Sequence, residues 1–333
     1  MSLDVRGRLK FSCRPFATRR AGTKEAVILM KHAFVRFGGC VVGMGLLVTA
    51  CASAPGDESA ASTDSDLAAL DMEAGDRVHT MPMQNADTQA MATAAAATAH
   101  LTYYGGPVIP SVKVHAVYWG SGAAHQSHLD AFYGSVTNST YFDWLKEYNT
   151  STQSIGRGSF TGGTVITPST TATSITDKTI QKEIAKQISA KHLPAIDGVN
   201  NLYMVHVPPG MHITGPGGAG SSCVQFCAYH GTFKVSGKYV FYGVVPDLDH
   251  DGCQNGCGAG TPENNVTEVS SHEMIEAVTD PAVGLAKTLG APLAWYDNAN
   301  GEIGDICNGQ AGTVGGYTVQ LEWSNKEGKC TVK

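Results

Sequence analysis

Positive charge is what this chain has least of. Of 333 residues, 23 are Lys or Arg against 29 Asp or Glu. From Cys51 onward the imbalance deepens to 14 basic against 27 acidic residues, so the basic footprint that phosphate contacts require is missing and nucleic acid is not an expected partner. The chain also lacks a comfortable membrane span. The apolar stretch 37–50 is too short for one and has the length of a signal-peptide core, with Lys31 and Arg36 as its positive flank. A third shortage is histidine at one position. The segment His272-Glu273-Met274-Ile275-Glu276 follows the H-E-x-x-H pattern of metal-dependent proteases until its last residue, which is Glu.

The leader, residues 1–50, ends in Val48-Thr49-Ala50-Cys51, which resembles a bacterial lipobox, and Met30-Lys31 is a natural start. Arg19-Arg20 lacks the hydrophobic residues of a twin-arginine signal. Cleavage after Ala50-Cys51-Ala52, releasing a soluble protein, is the alternative. Cysteine arithmetic favours lipidation of Cys51. Six cysteines follow it, Cys223, Cys227, Cys253, Cys257, Cys307 and Cys330; an even six suits three disulfides in an oxidising compartment, and lipidation uses the odd one. Residues 52–100 carry eight acidic residues and one basic, Arg77, among many Ala, Ser and Thr. That composition reads as a flexible acidic tether, with no apolar face whose burial could offset ordering.

Residues 101–333 then form the folded domain. Val112–Trp119 alternates β-branched and aromatic residues as a strand does. His125–Tyr148 has apolar residues at helical spacing: Leu129, Phe132, Tyr133 and Val136, resumed after Asn138-Ser139 by Tyr141, Trp144, Leu145 and Tyr148. A strand at 162–166, a helix at 177–191 and an apolar strand at 201–207 follow. Strands at 226–233 and 238–245 make a hairpin through Lys234–Gly237. The order leads to an α/β (α+β) architecture of zincin-like type, a mixed sheet with an active-site helix and disulfide staples.

That helix is expected around Val269–Thr279, with Asn265 as cap, Glu268 completing a capping box and Asp280-Pro281 as the stop. His272 and Glu276, four apart, share a face and would hold a metal. Glu273 falls where the metalloproteases keep their general base, and Glu268 could orient a ligand from behind. The plain alternative is a solvated acidic face. A third ligand is expected from Gly301-Glu302-Ile303-Gly304-Asp305-Ile306-Cys307; Asp305 is favoured, with Glu302 close behind. A disulfide between Cys307 and Cys330 would pin that loop. Zinc suits a site that keeps one position open, although one imidazole and two carboxylates are harder than three histidines and leave manganese or iron open.

Other polar residues take plainer readings. His230, beside the Cys223/Cys227 pair, could point into the cleft, but a histidine ending a strand is more often a hydrogen-bonded structural residue, and His206 reads as core. The Cys223/Cys227 and Cys253/Cys257 pairs could form a four-thiolate zinc site, but export argues for disulfides. Asp247, Asp249 and Asp251 open like a Ca2+ loop, yet Gly258 stands where its bidentate glutamate belongs.

Several of these segments together resemble the EXORDIUM, or phosphate-induced, family of secreted plant and microbial proteins. They are Leu101-Thr-Tyr-Tyr-Gly-Gly-Pro-Val108, Cys223-Val-Gln-Phe-Cys-Ala-Tyr-His-Gly231, the Tyr239 strand leading to Cys253-Gln-Asn-Gly-Cys257, Val278-Thr-Asp-Pro281 and Glu302-Ile-Gly-Asp-Ile-Cys307. The resemblance spans about residues 101–330 and implies secretion and a shared fold, not a reaction. Function therefore rests on the helix. The expectation is a lipid-anchored extracytoplasmic zinc hydrolase acting on a polypeptide or cell-surface substrate, with peptidase preferred by analogy to zincins. A non-catalytic surface-binding module is the alternative.

Overall fold

The computed structural model describes residues 72–73, 79–85, 87, 88, 90, 96 and 98–333. The leader, Met30 and Cys51 lie outside them. Among the described residues, no helix is long and apolar enough to cross a membrane.

A seven-stranded mixed sheet organises the domain. Its strands are β1 (Met72–Glu73), β2 (His79–Pro82), β3 (Ser111–Trp119), β4 (Gly156–Ile166), β5 (Asn201–His206), β6 (Phe226–Val235) and β7 (Lys238–Val245). β3 lies parallel to both β4 and β5, and β5 lies parallel to β7. β6 runs antiparallel beside β7, and its other edge takes β1 and β2. Three main helices cover the sheet: α1 (Gln126–Val136), α2 (Asp177–Ser189) and α3 (Pro262–Thr279).

Strand alternation divides the core into two layers. Val114, Ala116, Met204, Phe241 and Val245 pack on the side that holds Phe132 of α1 and Met274 and Ile275 of α3. Val117, Tyr203, Val205, Tyr229, Tyr242 and Val244 pack on the other, with Ile180 and Ile184 of α2. The two faces of one sheet are therefore covered by different helices, α1 and α3 on one and α2 on the other. The domain is mixed α/β with three disulfides, Cys223–Cys253, Cys227–Cys257 and Cys307–Cys330. The first two pair across the C-x-x-x-C motifs and remove the four-thiolate reading.

Several expected boundaries move, each for a local reason. The 125–148 segment breaks where Ser139 accepts a hydrogen bond from the Tyr141 amide, and short helical turns continue from Thr140 to Tyr148. β4 begins at Gly156, six residues early, because its glycine-rich first half carries no apolar alternation. Adding a Cβ to Gly158 would bring it 2.2 Å from the Val112 carbonyl oxygen. The β6–β7 connection is two residues, Ser236 and Gly237, both at positive φ (49° and 73°), as a tight hairpin of primed type requires.

The cap of α3 is Thr261, whose side chain accepts from the Asn264 amide, with Pro262 in the first turn. Asn265, the expected cap, sits inside the helix and accepts from the Gly260 amide at 2.8 Å. The largest change concerns the tether. Residues 79–82 belong to the sheet, His79 pairs opposite His230 in register, and Met81 is fully buried.

Candidate metal centre

α3 is unlike an ordinary surface helix, since every residue from Asn265 to Thr279 is buried. A helix enclosed on all sides normally carries apolar residues all round. This one encloses Glu268, His272, Glu273 and Glu276, the last three fully. The solvated-face reading of the motif fails on that burial.

His272 Nε2 lies 3.2 Å from Glu276 Oε1, so the i, i+4 pair does share a face. The loop that follows supplies Asp305, whose backbone amide donates to Glu276 Oε1 at 3.1 Å. One donor atom each from His272, Glu276 and Asp305 lie within 4.8 Å of one another, and a second such group is His230, Glu273 and Glu276. Gly304 makes the approach possible. A Cβ there would stand 2.6 Å from His272 Nδ1 and 2.9 Å from Glu276 Oε1. The Cys307–Cys330 disulfide closes the loop that carries Asp305, as expected.

Glu302 faces elsewhere. Its Oε1 is 3.5 Å from His230 Nε2 and its Oε2 is 3.6 Å from His79 Nδ1. Of the two expected third donors, Asp305 thus joins His272 and Glu276, whereas Glu302 stands behind His230. Glu268 is buried one turn before His272, and burial raises its pKa against the pull of that imidazole.

Two further histidines join the cluster, one for which the structural reading is preferred from sequence and one not singled out at all. His230 reads from sequence as structural, yet its ring sits among acids, with Nδ1 3.3 Å from Glu273 Oε2 and 3.4 Å from Glu276 Oε2. The available signal is a basic ring within the mostly apolar run 226–233. His79 falls in the supposed tether, and its Nδ1 lies 2.7 Å from Asp305 Oδ2 while Nε2 meets the Tyr296 hydroxyl at 2.8 Å. No sequence signal points to it, because its contacts are about 220 residues away. Asp280 and Glu322 are two further acids that are fully buried close by.

Electrostatics separates the two helix carboxylates. Burial pushes Glu273 up to about 7, against the opposing pull of His230 and His272. Burial resists ionisation of Glu276 too, but His272 and His230 hold it well below the ordinary carboxylate range. For His272, burial alone would lower the pKa, and Glu276 reverses this and raises it well above the ordinary imidazole value. One carboxylate is kept charged and its neighbour is poised near neutrality. That division is how paired acids take different roles.

The donors fit a cation. His272 Nδ1 and Nε2, His230 Nε2, Glu273 Oε1, Glu276 Oε2, Asp280 Oδ2 and both Glu302 oxygens are buried without a hydrogen-bond partner. Leaving such groups unpaired is costly, and buried charges are normally paired or bound to metal. The 3.2 Å between His272 and Glu276 exceeds the roughly 2.7–2.9 Å of a charge-assisted hydrogen bond. It comes close to the spacing of about 3.3 Å between two tetrahedral ligands each about 2.0–2.1 Å from zinc.

The Asp247–Asp251 loop forms a separate cluster. Asp247, Asp249 and His250 come together there, while Asp251 Oδ2 accepts from the Gly210 amide at 2.7 Å. Asp251 therefore leaves the expected ligand set, and its place is set by a backbone donor from the neighbouring loop. His206 is core, as expected; burial, with the nearby charge of His125, lowers its pKa to about 3. Searches against family models, curated proteins and solved structures find no match to this chain.

Proposed function

We propose that this chain is an extracytoplasmic metal-dependent hydrolase of zincin-like design, with zinc as the preferred ion and a polypeptide as the substrate. One observation carries the reading: a helix buried from Asn265 onward brings His272 and Glu276 together with Asp305 and leaves both His272 nitrogens, Glu273 Oε1 and Glu276 Oε2 without a hydrogen bond. His272, Glu276 and Asp305 would hold the ion. A divalent cation in that place supplies a Lewis acid that activates water. Glu273 acts as the base: its Oε1 has no partner, and burial places its pKa near neutrality. His230 fixes the other Glu273 oxygen and so sets the direction in which Oε1 points.

Access runs past His79 and Tyr296. Both residues line two cavities, of 370 Å³ and 410 Å³, and Asp305 lines the larger. His79 and Asp305 are the partly exposed members of an otherwise closed centre, with side-chain exposures of 26% and 13%. A substrate carbonyl enters on that side.

The deep closure favours one other reading, a non-catalytic surface module with a structural metal. Both accommodate three disulfides, which persist in oxidising compartments. The proposal retains lipidation at Cys51 and kinship with the EXORDIUM family. Incubating the full chain with unfolded protein substrates, before and after chelation and zinc return, decides between enzyme and module. Cleavage that follows the metal supports the hydrolase; inactivity with zinc fully bound supports the module.

A further inference from the structure

Among the described residues, one group that could hold a metal ion lies apart from the helix centre. The loop 247–252 leaves β7 and runs to Cys253, whose disulfide to Cys223 ties it to the turn before β6. Within it, two carboxylates are arranged alike. Asp247 Oδ2 lies 2.7 Å from His250 Nδ1, and Asp249 Oδ2 lies 2.8 Å from His125 Nε2. In each residue the other oxygen, Oδ1, is buried with no hydrogen-bond partner. Asp247 is itself only 7% exposed. An oxygen of each carboxylate and a ring nitrogen of His250 lie within 4.8 Å of one another.

An acidic cluster on a wet surface needs no ion, because water satisfies each oxygen. These two oxygens are removed from water and not repaid by any protein donor, which costs free energy unless a cation sits beside them. The geometry points to a second site: we propose that Asp247 and Asp249 bind one divalent cation of the calcium class through their Oδ1 atoms. His250 and His125 stand behind the carboxylates and hold their orientation, as histidine–carboxylate pairs do around metal ligands. The choice of a hard ion follows from the free donors. Both are carboxylate oxygens, and the imidazole nitrogens facing them are already engaged.

The site has a structural consequence. His125 immediately precedes α1, and the loop leads through Cys253 and Cys257 to Thr261, the cap of α3. A cation here links the start of α1 to the segment that delivers the metal helix. Because the two carboxylates converge only in the folded chain, the ion stabilises the fold in proportion to its concentration. The loop carboxylates share no residue with the α3 centre, so their cation is independent of what α3 binds.

Calcium titration of the disulfide-intact full chain, stripped first with a chelator, tests it by calorimetry and by thermal unfolding. Wild type should bind one calcium at this loop and melt at a higher temperature as calcium increases. Asp249→Asn and Asp247→Asn should each weaken calcium binding by at least about tenfold, since affinity follows ligand charge. Asp251→Asn and His272→Ala should bind calcium as wild type does. If Asp249→Asn is too unstable to titrate, the wild-type and His272→Ala titrations decide. Absence of calcium binding at millimolar concentration overturns the site. So does calcium binding that survives Asp249→Asn or vanishes in His272→Ala, and so does binding of zinc at the loop in preference to calcium.

Discussion

Asp177 at the start of α2 and Glu276 near the end of α3 are both carboxylates buried against the same sheet, on opposite faces. They are treated differently. Asp177 Oδ1 accepts hydrogen bonds from the hydroxyls of Tyr229 and Tyr242 at 2.8 Å and 2.7 Å, and Oδ2 accepts from Gln181 Nε2 at 2.6 Å. Glu276 has an oxygen without a hydrogen-bond partner, although it lies 3.4 Å from His230 Nδ1, and Glu273, Asp280 and Glu302 around it also have unbonded oxygens. A buried polar group that serves only the fold is satisfied by the fold. On the α3 face these oxygens are left without a hydrogen bond, a lack that a bound cation would fill. Tyr229 and His230 are adjacent on β6, one for each face, so a single strand serves both purposes.

The most severe way to break this contrast is to remove a proposed ligand. His272→Ala, Glu276→Ala and Asp305→Ala should each lose metal and activity together. Metal content and turnover measured on the same preparations check this. Asp305→Ala with full metal and Glu302→Ala without it would transfer the third position to Glu302. Truncation on the other face should do something different. Ile184→Ala removes a core side chain of α2 that is 1% exposed and should cost about 2–5 kcal/mol of stability. Its metal stoichiometry should remain that of wild type, and denaturant unfolding beside metal analysis separates the two effects.

The difference between the faces also explains what could be read in advance. α2 was legible to within two residues because its apolar positions, Ile180, Ile184 and Ile188, recur at helical spacing and its neighbours are polar. α3 has no such stripe. It was found through the chemistry of His272 and Glu273, and its first turn was misplaced because Asn265 and Glu268 imitate a cap that Thr261-Pro262 provides. The Asp305 loop was legible because glycine and cysteine frame it. His230 and His79 were not, since each owes its place to strand pairing between distant segments: β2 beside β6 sets His79 opposite His230. Periodicity in one segment carries no information about that register.

A smaller change targets the base alone. Glu273→Gln preserves the shape and the contact to His230 and should lower activity by about 100-fold, the lower range for a general base, with metal content unchanged. In the metal-free protein the same carboxyl should be visible in stability. Its pKa rises from 4.5 to about 7 through burial, so the folded state binds its proton more tightly than the unfolded state does. The stabilisation is complete below pH 4.5 and is lost as pH rises through about 7. Glu276, held low, contributes with the opposite sign, so the useful quantity is the difference between wild type and Glu273→Gln. Urea unfolding of the chelated proteins across this range should show wild type losing stability relative to the variant as pH rises; a pH-independent difference refutes the assignment.

The smallest expected effect is the most exacting comparison, because it acts on a feature the two helices share. Thr176 caps α2 by accepting from the Thr179 amide, and Thr261 caps α3 by accepting from the Asn264 amide. Both threonines are exposed, and each satisfies a donor that the first turn would otherwise leave to water. Replacing either by Ala should therefore cost about 0.5–2 kcal/mol, with the two values close together. His272 lies three turns beyond Thr261, out of reach of a frayed first turn, so Thr261→Ala should keep its metal. Equal losses with metal intact mean that α3 is held by the same local chemistry as α2 and differs only in what its buried face presents. A much larger loss for Thr261→Ala, or loss of metal with it, means that the helix start and the metal centre form one cooperative unit through the stapled 247–260 segment.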